Sequence, residues 1–365
     1  MIQKLVWENV KHRPLRTFLS ALLIAIPVTL VLTLAGLSKG MIEDSNRRYR
    51  GVGADIMIRP KNSQMLGLGS APIPERLVDF IRKQPHAALA TGMVMQSLGN
   101  PFSTAAGVDW DQFNRMSGGL EYLQGRGPSD PDEVVVDDYY AKQNKISAGD
   151  SVLLFGKKRR VSGIVKPGKL NRVFIDLKRL QELTSNSGNV NTIYVKVDRP
   201  ENVGAVLAEL KQLLPDYPIY TMEEFTSAFT YDNIPLLSRF TGVMVGIAIV
   251  IGFTVVCLSM YMSVLQRTRE IGILKSLGAS RWYVLNIILR EAVMLAIIGT
   301  IIGIGMSYGA KWLLQTFAPA SLPPAVDPSW WPTAAAIALF GAVLGALYPG
   351  LHAASMDPIE ALSYE

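Results

Sequence analysis

The sequence predicts an α-helical membrane protein with four transmembrane helices and one extracytoplasmic α/β domain inserted between the first and the second. Three observations lead there. Of the 365 residues, 49% are hydrophobic, a surplus for a soluble chain. The surplus gathers in four stretches that carry no charged residue, 17–37, 240–265, 292–310 and 330–351, each close to the ~20 residues that cross a bilayer core. Between the first two stretches the pattern changes to short alternating strand and helix signals, punctuated by Gly and Pro.

Taken in order, residues 1–16 read as a cytoplasmic amphipathic helix. Ile2, Leu5, Val6, Asn9 and Val10 recur at helical spacing with Lys4, Glu8 and Lys11 between them, and Trp7 suits the lipid headgroup level. Residues 17–39 form the first span, kept as a signal anchor because it is too long for a cleaved signal core and lacks a cleavage site. Pro27 near its middle removes one helical hydrogen bond and predicts a kink.

Residues 40–236 form the inserted domain with a stalk. Strands are expected at 54–59, 133–136, 151–155, 160–165 and 191–197, and helices at 75–83 and 201–214. The Gly- and Pro-rich run 67–74 reads as a flexible loop, and Met222, Phe225, Phe229 and Ile234 as a helical stalk that Pro235 bends. Met41, Met57, Met65, Met93 and Met95 read as core filler rather than a haem-binding surface.

The remaining spans are 237–265, 291–310 and 330–351, joined by 266–290 and 311–329 and followed by a tail, 352–365. Lys4, Lys11, Arg13 and Arg16 flank the first span, and Arg267, Arg269, Lys275, Arg281 and Arg290 follow the second, whereas 311–329 has only Lys311. The positive-inside rule therefore places both termini in the cytoplasm and the inserted domain outside.

Composition excludes several classes. The net charge of +6 follows from these loops, with no basic stripe for nucleic acid. Cys257 is the single cysteine, and His12, His86 and His352 are too scattered for a metal site. Residues 163–169 match GxxxxGK, yet Leu170 stands where a magnesium-binding hydroxyl belongs and Pro167 removes an amide from the cradle; a turn is the better reading. No nucleophile elbow or zinc-helix motif occurs, and Asp137 and Asp138 are adjacent, so no catalytic residue is assigned. No charge lies deep in a span, against an ion or proton relay. Glycine pairs four apart, Gly242 and Gly246, Gly299 and Gly303, Gly305 and Gly309, and Gly341 and Gly345, read as helix-packing positions.

The segment 266–280, QRTREIGILKSLGAS, holds most of the functional information. At about 100° per residue, Arg267, Glu270, Ile271, Leu274 and Leu277 share one arc, which reads as a contact face. Gly278 supplies a helix C-cap and Ser280 an N-cap for the next helix. Arg290 and Glu291, at the mouth of the third span, are placed for an ion pair with this inner helix. From periodicity alone the segment reads either as a coupling helix or as an amphipathic loop on lipid.

The order of span, outer domain and three further spans resembles the permeases of MacB, FtsX and LolCDE type, the mechanotransmission class of ABC transporter. The residues that carry the likeness are 269–280, 348–362 with its closing Pro358-Ile359-Glu360-Ala361-Leu362, the entry Trp7-Glu8-Asn9-Val10, and 133–150 with 161–165 in the outer domain. The resemblance implies a bacterial inner-membrane permease, dimeric with a second copy or a paralogue. It binds no cofactor itself, since ATP and Mg sit on a partner ABC ATPase encoded as a separate chain. Arg267, Glu270, Ile271, Leu274, Lys275 and Leu277 are then the expected ATPase contact. Export or extraction of a hydrophobic or amphiphilic molecule, such as a lipid, lipoprotein, haem or drug, is expected, with a periplasmic adaptor or lipoprotein and membrane lipids as further partners. The alternative readings are FtsX-like signalling to a cell-wall hydrolase and a membrane-anchored enzyme.

Overall fold

A computed structural model of the chain describes residues 14–63, 72–100, 103–228, 230, 233, 235–317 and 323–356. Along it run α1 (Pro14–Arg50), β1 (Ile56–Ile58), β2 (Ile73–Pro74), α2 (Arg76–Arg82), β3 (Ala87–Asn100), β4 (Ser103–Val108), α3 (Trp110–Ser117), β5 (Tyr122–Gly125), β6 (Val134–Asp137), α4 (Asp138–Asn144), β7 (Ser151–Leu154), β8 (Lys157–Val165), β9 (Val173–Asp176), α5 (Leu177–Leu183), β10 (Asn189–Val190), β11 (Thr192–Val197), α6 (Val203–Leu213), β12 (Ile219–Thr221), α7 (Met222–Ala228), α8 (Pro235–Gln266), α9 (Thr268–Ser276), α10 (Arg281–Phe317) and α11 (Trp331–Ser355). The chain divides into two compact units at residues 40/41 and 234/235.

The first unit is helical. Among the described residues, α1, α8, α10 and the helix ending at Ser355 are long and apolar enough to cross a membrane. Each extends past its expected span, because the flanking polar residues continue the hydrogen-bonded ladder. Pro27 does not interrupt α1, which is helical from Pro14 to Arg50.

Small residues decide how the spans meet. A Cβ at Gly299 would lie 2.8 Å from Ile24, one at Gly303 2.7 Å from Val28, and one at Gly345 2.7 Å from the Phe253 carbonyl oxygen. These contacts bring α10 against α1 and α11 against α8, as close backbone approach in membranes requires. Thr29 Oγ1 donates to the Gly303 carbonyl at 3.1 Å, and the Ser20 and Ser259 hydroxyls meet at 2.7 Å. A Cβ at Gly242, Gly246, Gly305 or Gly309 meets nothing within 4 Å, so these four do not pack helices within this chain. Gly341 is in ordinary contact, 3.7 Å from the Phe253 nitrogen. Spacing alone does not tell which side of a helix faces protein.

The second unit is the inserted α/β domain. Its main sheet has the order β12-β1-β11-β3-β4-β9-β6-β8-β5, with β7 beside β8. All neighbours are antiparallel except β4 with β9 and β6 with β8. The long strand β3 joins two halves: Ala87–Met93 pair with β11 and the following residues with β4.

Both faces of the sheet are buried. Ile56, Ile58, Val134, Val136, Val173, Ile175, Ile193 and Val195 face one core, while the intervening Met57, Val135, Phe174 and Tyr194 face the other. This is the period of two that a strand imposes. The first core is closed by α2, α5 and α6 through Val78, Ile81, Leu177, Leu180, Val206 and Leu210, the second by α3 and α7 through Phe113, Met116, Met222 and Phe225. Asp109 just after β4, and Asp137 and Asp176 at the ends of β6 and β9, each accept from the backbone N–H three residues on, of Gln112, Tyr140 and Arg179, capping the helix that follows.

Two expectations change here. Met222 and Phe225 are buried in the second core and so belong to the domain rather than to a stalk; Phe229 and Ile234 lie outside the described residues. The loop expected at 67–74 ends in a strand, with Ile73 fully buried and paired to Val190, and its residues 67–71 also lie outside them. Met57 and Met93 are fully buried core residues. Residues 1–13 and 357–365, with the amphipathic helix and the end of the closing motif, are outside as well.

Candidate coupling site

Between α8 and α10 the short helix α9 is held from both ends. Arg267 precedes it, and its guanidinium donates to the Glu291 carboxylate of α10 at 3.1 Å, with both side chains nearly buried. This is the ion pair expected from Glu291. At the far end the Lys275 ammonium donates to the carbonyls of Ala354, at 3.0 Å, and Met356, which are the orphan carbonyls at the end of α11. A cation is favoured at a helix C-terminus because the peptide dipoles leave partial negative charge there.

Gly278 adopts a left-handed φ of 93°, and the Ala279 N–H returns to the Leu274 carbonyl at 3.0 Å, which closes α9 as a glycine terminus does. Ser280 Oγ then accepts from the Tyr283 N–H at 3.2 Å and caps α10. The expected cap residues thus hold the expected turn.

The six residues expected to form the contact divide by burial. Ile271 is buried and Leu274 half-buried, both turned to the body of the unit, while Arg267 and Lys275 have partners inside it. Glu270 is exposed, as are Ile273 and Leu277 at 45% and 80%. Glu270, Ile273 and Leu277 lie three and four residues apart, on one outward stripe. The arc read from sequence mixes this stripe with the packing face behind it, because Arg267, Ile271 and Leu274 repeat at the same spacing. A cavity of about 70 Å³ between α8, α9 and α10 is lined by Ser263, Arg267, Ile271, Ile287 and Glu291, among others, and the exposed Glu270 stands at its edge.

The GxxxxGK look-alike folds as a turn. Residues 163–165 finish β8, Gly168 takes a φ of 117°, and the Lys169 ammonium donates to the carbonyls of Ser117 and Gly119, which leaves it unlike a phosphate-binding lysine.

Comparison with known proteins agrees with both units. Residues 17–213 match the MacB-like periplasmic core domain, and residues 242–358, which hold α9 and its supports, match the FtsX-like permease C-terminal family. The chain belongs to the MacB/FtsX family of ABC transporter permeases. The ABC transporter permease YknZ of Bacillus subtilis is 31% identical over 229 residues, covering 60% of this chain and 55% of YknZ. The permease YvrN of the same organism is 23% identical over 415 residues, 99% of either chain. The macrolide export ATP-binding/permease protein MacB of Escherichia coli K12 is 28% identical over 316 residues, 78% of this permease but 48% of that protein. The periplasmic region of MacB from Actinobacillus actinomycetemcomitans, 20% identical, aligns over 49% of this chain and 94% of its own with a TM-score of 0.39. This chain thus spans about half the length of YknZ and of the fused MacB.

Proposed function

We propose that this chain is the permease subunit of an ATP-driven complex in a bacterial inner membrane, with both termini cytoplasmic. A separate ABC ATPase binds the outward stripe of α9, and its ATP and Mg cycle is converted into movement of the inserted domain. That movement exports or extracts a hydrophobic or amphiphilic molecule, of the lipid, lipoprotein, haem or drug class. The working unit is a dimer with a second copy or a paralogue, served by a periplasmic adaptor or lipoprotein.

One observation carries the reading. A helix of nine residues is too short to persist in water by itself, yet α9 is fixed by an ion pair to α10 and a lysine seat on α11 while it exposes Glu270, Ile273 and Leu277. Such a helix delivers a push to the spans instead of deforming. The separate ATPase is supported by YvrN, which matches this chain end to end and is named a permease, whereas the longer MacB is named an ATP-binding/permease protein.

Reconstitution of the chain with its ATPase in lipid nanodiscs tests this. Glu270→Ala should leave the protein folded and lower ATP-dependent cargo release at least tenfold. Undiminished release would remove the assignment, and ATP-dependent activation of a hydrolase without any release would turn the reading to signalling.

A further inference from the structure

The outer end of α1 meets the inserted domain through charge where apolar contact would be enough for packing. Asp44 lies in the part of α1 counted with the domain, its side chain 3% exposed. The Arg172 guanidinium, just ahead of β9, donates to Asp44 Oδ2 at 2.8 Å and to Asp137 Oδ2, at the end of β6, at 3.2 Å. Arg47 and Arg48 pair with the same Asp44 at 3.0 and 3.1 Å, and the Arg172 guanidinium lies 5.0 Å from the Tyr139 ring centroid.

A buried ion pair is weak evidence for stability, since desolvation opposes the attraction; its best-attested use is to fix register. A forked guanidinium holds two carboxylates in one fixed geometry, whereas an ammonium is a point charge on a flexible stem and sets no such geometry.

The last turn of α1 has a second seat nearby. Tyr49 packs edge-on against Phe225 with centroids 4.9 Å apart, the Leu170 N–H donates to the Arg48 carbonyl at 2.8 Å, and a Cβ on Gly51 would come within 2.0 Å of the Gly168 carbonyl oxygen. Asp44 lies five residues before Tyr49, about 7.5 Å along a helix axis. One seat alone would let the last turns of α1 pivot on the domain, whereas two hold residues 41–50 in place.

We propose that Arg172, holding Asp44 and Asp137 together, is the positioning residue that fixes the angle between the end of α1 and the domain, so that tilting of α1 moves the domain with it. The joint rests on the permease reading for its use, not for its existence. Asp44→Asn removes the joint's charge pairing, together with the pairs of Arg47 and Arg48 within α1, while Arg172 keeps Asp137; Arg172→Lys leaves those two pairs in place and separates the effects.

The test uses the full chain in nanodiscs with its ATPase, Cys257→Ser, and spin labels at Glu43→Cys and Leu123→Cys for pulsed EPR. The parent should give one narrow distance distribution. Asp44→Asn should broaden it at least twofold and lower ATP-driven cargo release about tenfold with ATP hydrolysis retained, while Asp44→Glu should restore both. Arg172→Lys should reproduce Asp44→Asn and serves if that variant fails to fold. An unchanged width in a folded Asp44→Asn or Arg172→Lys protein, or full release in either, would overturn the joint. If the parent shows no ATP response, the permease reading falls, and the widths alone still decide the joint.

Discussion

Glu291 is buried in α10 with Arg267 as its ion-pair partner, so removing either side leaves a charge without compensation. Glu291→Ala should cost about 3 to 5 kcal/mol, the usual penalty for breaking a buried pair, read as a lower unfolding temperature in detergent. Asp137 gives a second prediction, with a sign. Burial pushes its carboxyl up to about 6, against the opposing pull of Arg172 and Arg48 and with Asp44 adding to the rise. The folded state therefore holds this proton more tightly than the unfolded chain. The contribution to stability is fullest below the unfolded value near 4 and is lost as pH rises to about 6. Relative to Asp137→Asn, the parent should thus gain roughly 2 kcal/mol, just under two units at 1.36 each, as pH falls from 7 to 4; denaturant melts of both proteins at the two pH values measure it, and no gain would contradict it. Glu291 was legible as a partner for the inner helix because it and Glu270 are the two carboxylates in a segment with five Arg and Lys residues. The seat of Lys275 was not, since its partners are backbone carbonyls that carry no sequence signature.

Among the elements, the spans were legible because lipid demands long uncharged runs, and the strands at 54–59 and 191–197 because β-branched residues alternate there. The strand β3 was not. Its sequence AALATGMVMQSLGN has a single β-branched aliphatic and several small residues, and it is a strand because β11 and β4 satisfy its backbone on either side. Tertiary pairing there overrides a weak local preference. The glycines give a test at this scale. Gly345→Val places atoms against the Phe253 carbonyl and should displace α11 from α8, with loss of folded yield or a melting drop of several degrees. Gly305→Ala should be neutral, because that position is open. If both behave alike in thermal unfolding, the packing assignment of α11 is wrong.

At the scale of the whole molecule, two family models match successive parts of one chain, 17–213 and 242–358, and the order of span, domain and three spans is what composition alone had indicated. The exposed stripe of α9 was half legible: sequence periodicity found the helix, but only the surrounding helices decide which of its sides remains free. A site-specific photo-crosslinker at Leu277, compared with the same group at Ile271, in the native host tests the central claim most directly. The account predicts that an ABC ATPase is captured from Leu277 and not from Ile271. Capture of no ATPase from Leu277, or equal capture from both positions, would contradict it.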